Sequence, residues 1–120
     1  MEKKDTRTVI VSKNYTILET IQSFQVNHDR VALVEDNNKI IGLVSQGDIL
    51  KELLRGVQMH SLVENIMNRN FRYMNNYDME KAYQLFKKHK LTMIPVLSES
   101  NELQDIITLD DVYTYLENKK

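Results

Sequence analysis

The chain says nearly the same thing twice, and this duplication constrains its fold more than any other feature. Val31 to Asp36, Asn38, Ile40, Gly42 to Ser45 and Asp48–Ile49 return in matching order about 63 positions later, as Ile94 to Glu99, Asn101, Leu103, Asp105 to Thr108 and Asp111–Val112. A unit of this half-size hides only about 60% of its unfolded surface when it folds alone. The two copies are therefore expected to pack on each other. A groove between them would present two equivalent sets of groups, and function is sought there.

The 120 residues are 42% hydrophobic and 28% charged, enough for one compact core made of two halves. Sixteen Lys plus Arg against seventeen Asp plus Glu give a net charge of −1. No global field draws the chain to nucleic acid or to an anionic membrane. Cysteine is absent, which removes disulfides, thiolate metal sites and Cys nucleophiles and is compatible with a reducing cytosol. No apolar run approaches the roughly 20 residues that span a bilayer, and no signal-like stretch follows the start. A cytoplasmic protein is expected.

In the first copy, Val9–Val11 reads as a strand, and Thr16 with Glu19 forms a capping-box signature. A helix over residues 17–27 follows, with Ile17, Leu18, Ile21 and Phe24 on one face. Val31–Val34 and Ile40–Val44 make a hairpin around Asn37–Asn38, and Ser45 with Asp48 opens a second helix. Ser61 and Glu64 frame a short helical turn in the linker. The second copy repeats the plan: Asp78 caps a helix bearing Met79, Ala82, Tyr83 and Phe86, Met93–Leu97 and Leu103–Ile107 form the hairpin, and Thr108 with Asp111 caps the last helix. The order is strand, helix, strand, strand, helix, used twice. Helices match at an offset of 62 and strands at 63, which places one extra residue in the helix-to-strand loop of the second copy. Pro95 lacks an amide donor and is expected at a sheet edge or near a strand start, where open backbone could meet a ligand.

This order, with hairpins that run into Gly42-Leu43-Val44-Ser45-Gln46-Gly47-Asp48-Ile49 and Ile106-Ile107-Thr108-Leu109-Asp110-Asp111-Val112, resembles the CBS domain. Two in tandem resemble a CBS pair, or Bateman module. The resemblance implies an α/β (α+β) fold of two β-α-β-β-α units packed as a pseudo-two-fold pair, with repeat 1 over 1–57 and repeat 2 over 58–120. The run from Gln46 to Gly56, with Leu62, Val63, Ile66–Asn68, Ile94–Leu97 and Leu103–Ile106, is similar to the pairs attached to sugar-nucleotide nucleotidyltransferases. A regulatory module for such a catalytic domain is implied.

CBS pairs commonly hold adenosine-containing ligands between their hairpins, so the resemblance implies AMP, ADP, ATP or S-adenosylmethionine as ligand, with no cofactor required. Asp48 and Asp111 would accept hydrogen bonds from ribose hydroxyls, and Ser45 and Thr108 would reach a hydroxyl or phosphate oxygen. Backbone around Val31, Ile94 and Pro95 would read adenine. Cap residues contribute about 1 kcal/mol each without any ligand, so both Ser/Thr-x-x-Asp motifs also read as plain helix caps. Arg30, Arg69, Arg72 and Lys90 are the candidate phosphate cations. His28 and His89 occupy helix C-terminal positions, where an imidazole meets free carbonyls. Copy one has Ala32 where copy two has Pro95, and Gly42 where copy two has Asp105. Gly42 would let a ligand approach the strand, whereas Asp105 would repel phosphate if it faced the groove.

No nucleophile–base pair, metal cluster or glycine-rich phosphate loop argues for catalysis, and the chain is not expected to be an enzyme by itself. The resemblance also implies a homodimer through the helices, with Leu50, Leu53, Leu54, Met79, Tyr83, Val112 and Leu116 as the apolar surface. A ligand-free assembly module with the same fold is the alternative.

Overall fold

Capping decides where the helices begin. In the computed structural model, which describes residues 9–26 and 30–119, the Thr16 and Glu19 capping box opens helix α1 (Ile17–Ser23) after strand β1 (Ile10–Ser12). Helix α1 is shorter than the 17–27 predicted. Its last turn tightens, with the amides of Phe24, Gln25 and Val26 bonding back three residues at 3.1–3.2 Å. His28 lies outside the described residues. Strands β2 (Val31–Asp36) and β3 (Lys39–Ser45) are antiparallel, and β1 joins the free side of β2 in parallel. Asn37 and Asn38, at φ 51° and 67°, make the two-residue turn, whose doubly positive φ matches the twist of a hairpin. Helix α2 (Gln46–Leu54) ends on Gly56 at φ 104°, with Val57 N–H bonding Glu52 C=O at 3.0 Å and Gly56 N–H bonding Leu53 C=O at 3.1 Å. This reciprocal closure needs the left-handed conformation that glycine adopts freely.

The linker forms a 3₁₀ turn (Val63–Asn65). The Ser61/Glu64 cap expected there is not made: Leu62 is the N-cap, with no side-chain bond. Instead the linker is tied to copy one by backbone, Val63 N–H to Tyr15 C=O at 2.8 Å and the mutual Leu43–Asn68 pair at 3.0 and 2.8 Å. Helix α3 (Met79–Lys88) starts at the Asp78 cap, and strands β4 (Met93–Leu97) and β5 (Leu103–Thr108) lead into helix α4 (Leu109–Asn118).

The strands of the two copies correspond differently from the sequence reading. Val31 faces Ser45 and Val34 faces Gly42, while Met93 faces Thr108 and Val96 faces Asp105. Hence β2 matches β4 at an offset of 62, and β3 matches β5 at 63. The extra residue sits at the second hairpin tip, not in the helix-to-strand loop: Ser98 N–H bonds Glu102 C=O at 2.9 Å across a three-residue turn that closes with Asn101 at φ 66°. Pro95 is therefore the counterpart of Leu33, and Ala32 that of Ile94.

Burial follows this corrected register. One core belongs to copy one (Ala32, Val34, Val44, Ile49 among others) and one to copy two (Ile94, Val96, Ile107, Val112). A third, of Val31, Leu33, Ile40, Met93, Leu97 and Ile106, draws on both. The shared core is the pseudo-two-fold contact, which buries apolar surface that either half by itself would expose. The hairpin tips meet as well: Ile40 N–H bonds Asn101 C=O at 2.9 Å.

Copy two lacks a full opening strand. Its counterpart is the single parallel bridge of Met74 with Val96, in which Met74 N–H bonds Pro95 C=O at 3.0 Å and Leu97 N–H bonds Met74 C=O at 2.8 Å. The next bond of that ladder would need an N–H on residue 95, and proline has none. Pro95 is buried between β5 and Met74, not at an open edge as expected. By stopping the ladder, it leaves residues 70–72 outside the sheet.

Candidate nucleotide cleft

Each Ser/Thr-x-x-Asp motif lies at a strand-to-helix junction, where the chain leaves β3 or β5 and the first amides of the helix need acceptors. Both are complete capping boxes. Ser45 N–H donates to Asp48 Oδ2 at 3.3 Å and Asp48 N–H to Ser45 Oγ at 3.2 Å. In copy two the box is more closed: Thr108 N–H reaches Asp111 Oδ2 at 2.8 Å and Thr108 Oγ1 reaches the same oxygen at 3.1 Å. Thr108 is buried, whereas Ser45 is half-buried and Asp48 exposed.

Ser45 and Asp48 open onto a cleft of about 440 Å³. Its far wall comes from copy two, from the residues that Pro95 leaves unpaired and from the loop between α3 and β4. Arg72, His89 and Lys90 supply the charge, Asn68 and Asn70 the amides, and Leu43, Phe71, Leu91 and Met93 the apolar surface. Burial, then the Arg72 guanidinium and the Lys88 ammonium, hold the His89 imidazole below its ordinary pKa. The cleft thus holds one carboxylate against two cations and a histidine whose pKa is lowered. A ribose diol suits Asp48, and an anion suits Arg72 and Lys90.

Two of the four candidate cations, Arg72 and Lys90, are brought together here. Arg69 is exposed and does not line the cleft. Arg30, exposed and at φ 55°, lies instead beside Ile21, Phe24, Gln25 and Gln46. Val31 and Ile94 are fully buried, their side chains within the shared core and the copy-two core. Sequence alone places His89 only at a helix end. The signal was available, since residue 89 directly precedes Lys90 in the loop that leads into β4.

Gly42 leaves no room for a ligand. A Cβ there would overlap the Met67 sulfur and come within 2.6 Å of its Cγ, so the close neighbour is the linker. Asp105 does not line the cleft of Ser45 and Asp48. Its charge acts in the other copy, where burial, then the Asp111 and Asp105 carboxylates, push the Tyr77 hydroxyl above its ordinary pKa. The two motifs therefore differ in field: cationic around Asp48, doubly anionic around Asp111.

The anticipated apolar helix surface is only partly free. Leu50 and Leu54 are 57% and 79% exposed, but Val112 is buried, and Leu53, Met79, Tyr83 and Leu116 pack against their own cores. Among the described residues, no helix is long and apolar enough to cross a membrane.

Comparison with known proteins agrees with this architecture. A homoserine O-acetyltransferase from Methanobrevibacter ruminantium is 29% identical over 89 residues, covering 73% of this chain and 17% of the relative. The curated relatives are all much longer, the chain spanning 24% or less of their length. A Methanocaldococcus jannaschii structure described as an archaeal homologue of g-AMPK superposes with a TM-score of 0.84 at 23% identity, over 98% of this chain and 49% of that one. The cytosolic domain of the Mg²⁺ channel MgtE in complex with ATP superposes with a TM-score of 0.74 at 24% identity, over 89% and 44%. The family model described as "CBS domain" matches residues 5–55 and 63–118. The chain belongs to the CBS domain family and carries two of its repeats, a pair of the kind that serves as a regulatory module.

Proposed function

We propose that this pair is a cytoplasmic sensor that binds one adenine nucleotide in the cleft of Ser45 and Asp48 and passes the resulting change of shape or rigidity to a partner catalytic domain. The observation that carries the reading is the meeting of a ribose-compatible carboxylate, Asp48, with Arg72 and Lys90 in one cleft of about 440 Å³. Asp48 would accept from the ribose hydroxyls with the lone pairs its cap bond leaves, and the start of α2 would favour a phosphate. The Thr108 and Asp111 motif serves as a cap. Its carboxylate-rich surroundings disfavour a second anion.

Support for a nucleotide also comes from the neighbours, one a complex with ATP and one described as a g-AMPK homologue. The partner domain is a proposal of the same standing. A sugar-nucleotide nucleotidyltransferase fits the sequence resemblance, and the homoserine O-acetyltransferases among the relatives offer a second enzyme class. Dimerisation through the exposed Leu50 and Leu54 completes the reading.

Thermal unfolding with AMP, ADP, ATP, S-adenosylmethionine, GTP and CTP tests it. A ligand at 100 times its Kd adds about 2.7 kcal/mol, which at roughly 4 °C per kcal/mol for a chain of this size raises Tm by about 10 °C. Asp48→Ala should abolish the shift and Asp111→Ala should keep it. No shift with any compound would leave a ligand-free assembly module as the better account.

A further inference from the structure

We infer that His89 reads the charge of the ligand: it takes up a proton as a phosphate enters the cleft, so the site selects phosphorylated compounds over sulfonium or uncharged adenosyl compounds. This rests on the proposed function, since it concerns the same cleft. The charged groups around the imidazole come from every described element that builds the site. Arg72 approaches from the segment before Met74, Lys88 from the end of α3, Lys90 from the loop that follows it, and Asp48 from the start of α2. Asn68, Asn70 and Ser45 are the neutral polar neighbours.

In the free site burial, then the two cations Arg72 and Lys88, hold the pKa of the imidazole below its ordinary value. A phosphate reverses that balance, because a negative charge among three basic side chains stabilises the imidazolium. Binding is then coupled to proton uptake over the window between the lowered pKa of the free site and the raised pKa of the occupied one. Within that window affinity falls as pH rises, by at most tenfold per unit. A sulfonium ligand gains nothing from this arrangement. Its positive charge would meet Arg72 and Lys90 with only Asp48 in its favour.

Isothermal titration of the full chain with AMP, ATP, adenosine, S-adenosylmethionine and ribose 5-phosphate, between pH 6.5 and 8.5, decides the matter. This range lies above the second phosphate ionisation near 6, so the charge of the ligand is nearly constant. AMP or ATP should bind at least tenfold tighter than adenosine or S-adenosylmethionine. Their affinity should drop about fivefold or more across the range, with heats that vary with buffer ionisation enthalpy. His89→Gln should bind more weakly with a flat profile, and His89→Lys should restore affinity while staying flat. Equal or tighter binding of S-adenosylmethionine, or a wild-type profile no steeper than that of His89→Gln, overturns the inference and leaves the nucleotide reading standing. Binding of ribose 5-phosphate as tight as AMP, with the His89-dependent profile, keeps the inference and overturns the adenine reading. Failure of every probe to bind overturns both.

Discussion

Gly42→Ala tests how the linker is held against the first repeat, and its magnitude follows from one contact. The backbone at Gly42 is not in the left-handed region, so alanine meets no backbone strain there. Left alone, the change would stabilise the chain by about 0.4–1 kcal/mol through the unfolded state. The new methyl would, however, overlap the Met67 sulfur, with Cγ at 2.6 Å and Cβ at 3.1 Å, and Met67 is only 8% exposed. Over-packing of this kind costs about 1–3 kcal/mol. The net is a loss of about 1–2 kcal/mol, or roughly 4–8 °C in Tm. Met67→Ala alone should cost about 2–5 kcal/mol as a large-to-small core change. In the double variant the methyl has room, so Gly42→Ala should become neutral or stabilising, with a coupling of about 1 kcal/mol or more. Urea unfolding of the four proteins measures the cycle. A Gly42→Ala loss that is the same with and without Met67 would refute the steric account, as would a gain in the wild-type background. Because Met67 precedes the Leu43–Asn68 pair, and Asn68 lines the cleft, Gly42→Ala should also weaken nucleotide binding.

Removing the cap hydroxyls should cost about 1 kcal/mol each in thermal unfolding, more for Thr108→Ala than for Ser45→Ala, since the Thr108 box makes an added hydroxyl-to-carboxylate bond. Arg72→Gln should weaken ATP about tenfold or more in calorimetric titration with little change in Tm, because the side chain is exposed. Glu80 joins α3 to α4 by accepting from Tyr115 Oη at 2.7 Å and from Lys119 Nζ at 3.2 Å. The Tyr115 bond, then Lys119, lowers its pKa below the ordinary 4.5, so its contribution is present above that pH and is lost as pH falls through the folded value. Glu80→Gln should therefore flatten the acid limb of the stability profile below about pH 5.

Local signals carried most of the fold. Thr16/Glu19, Ser45/Asp48, Asp78 and Thr108/Asp111 each mark a helix start, because a cap is a contact within one turn and needs no tertiary knowledge. The Asn37–Asn38 turn was legible for the same reason. What escaped the sequence depends on register. The repeated apolar residues Val31–Val34 and Ile94–Leu97 align equally well at an offset of 62 or 63, since Val, Ile and Leu are nearly interchangeable in a buried strand. Only the pairing with β3 and β5 fixes the choice, and the place of the extra residue follows from it. Of the site, the motif residues and two cations were legible. That Asn68, Asn70 and Phe71 join Arg72 in one wall of the cleft was not, because no sequence pattern says that a strand will fail to form.

That failure is what separates the two copies. A strictly symmetric pair would offer two similar sites. Here Pro95, standing where copy one has Leu33, ends the parallel ladder after a single bridge and releases Phe71 and Arg72 to line the cleft of the first motif. The residue opposite Val96 is Asp105, where copy one has Gly42 filled over by Met67, so the second motif acquires an extra carboxylate while the first gains a guanidinium. Both changes move charge in the same sense, toward an anion at Asp48 and away from one at Asp111. The substitution Pro95→Leu, matching the leucine that copy one has at position 33, would restore the amide donor and let the segment before Met74 pair with β4, drawing Arg72 back into the sheet. Pro95→Leu is therefore expected to raise amide-exchange protection around residues 72–74 while weakening ATP binding. Protection that rises with unchanged affinity would show that Arg72 reaches the ligand from within a strand as well as from outside it.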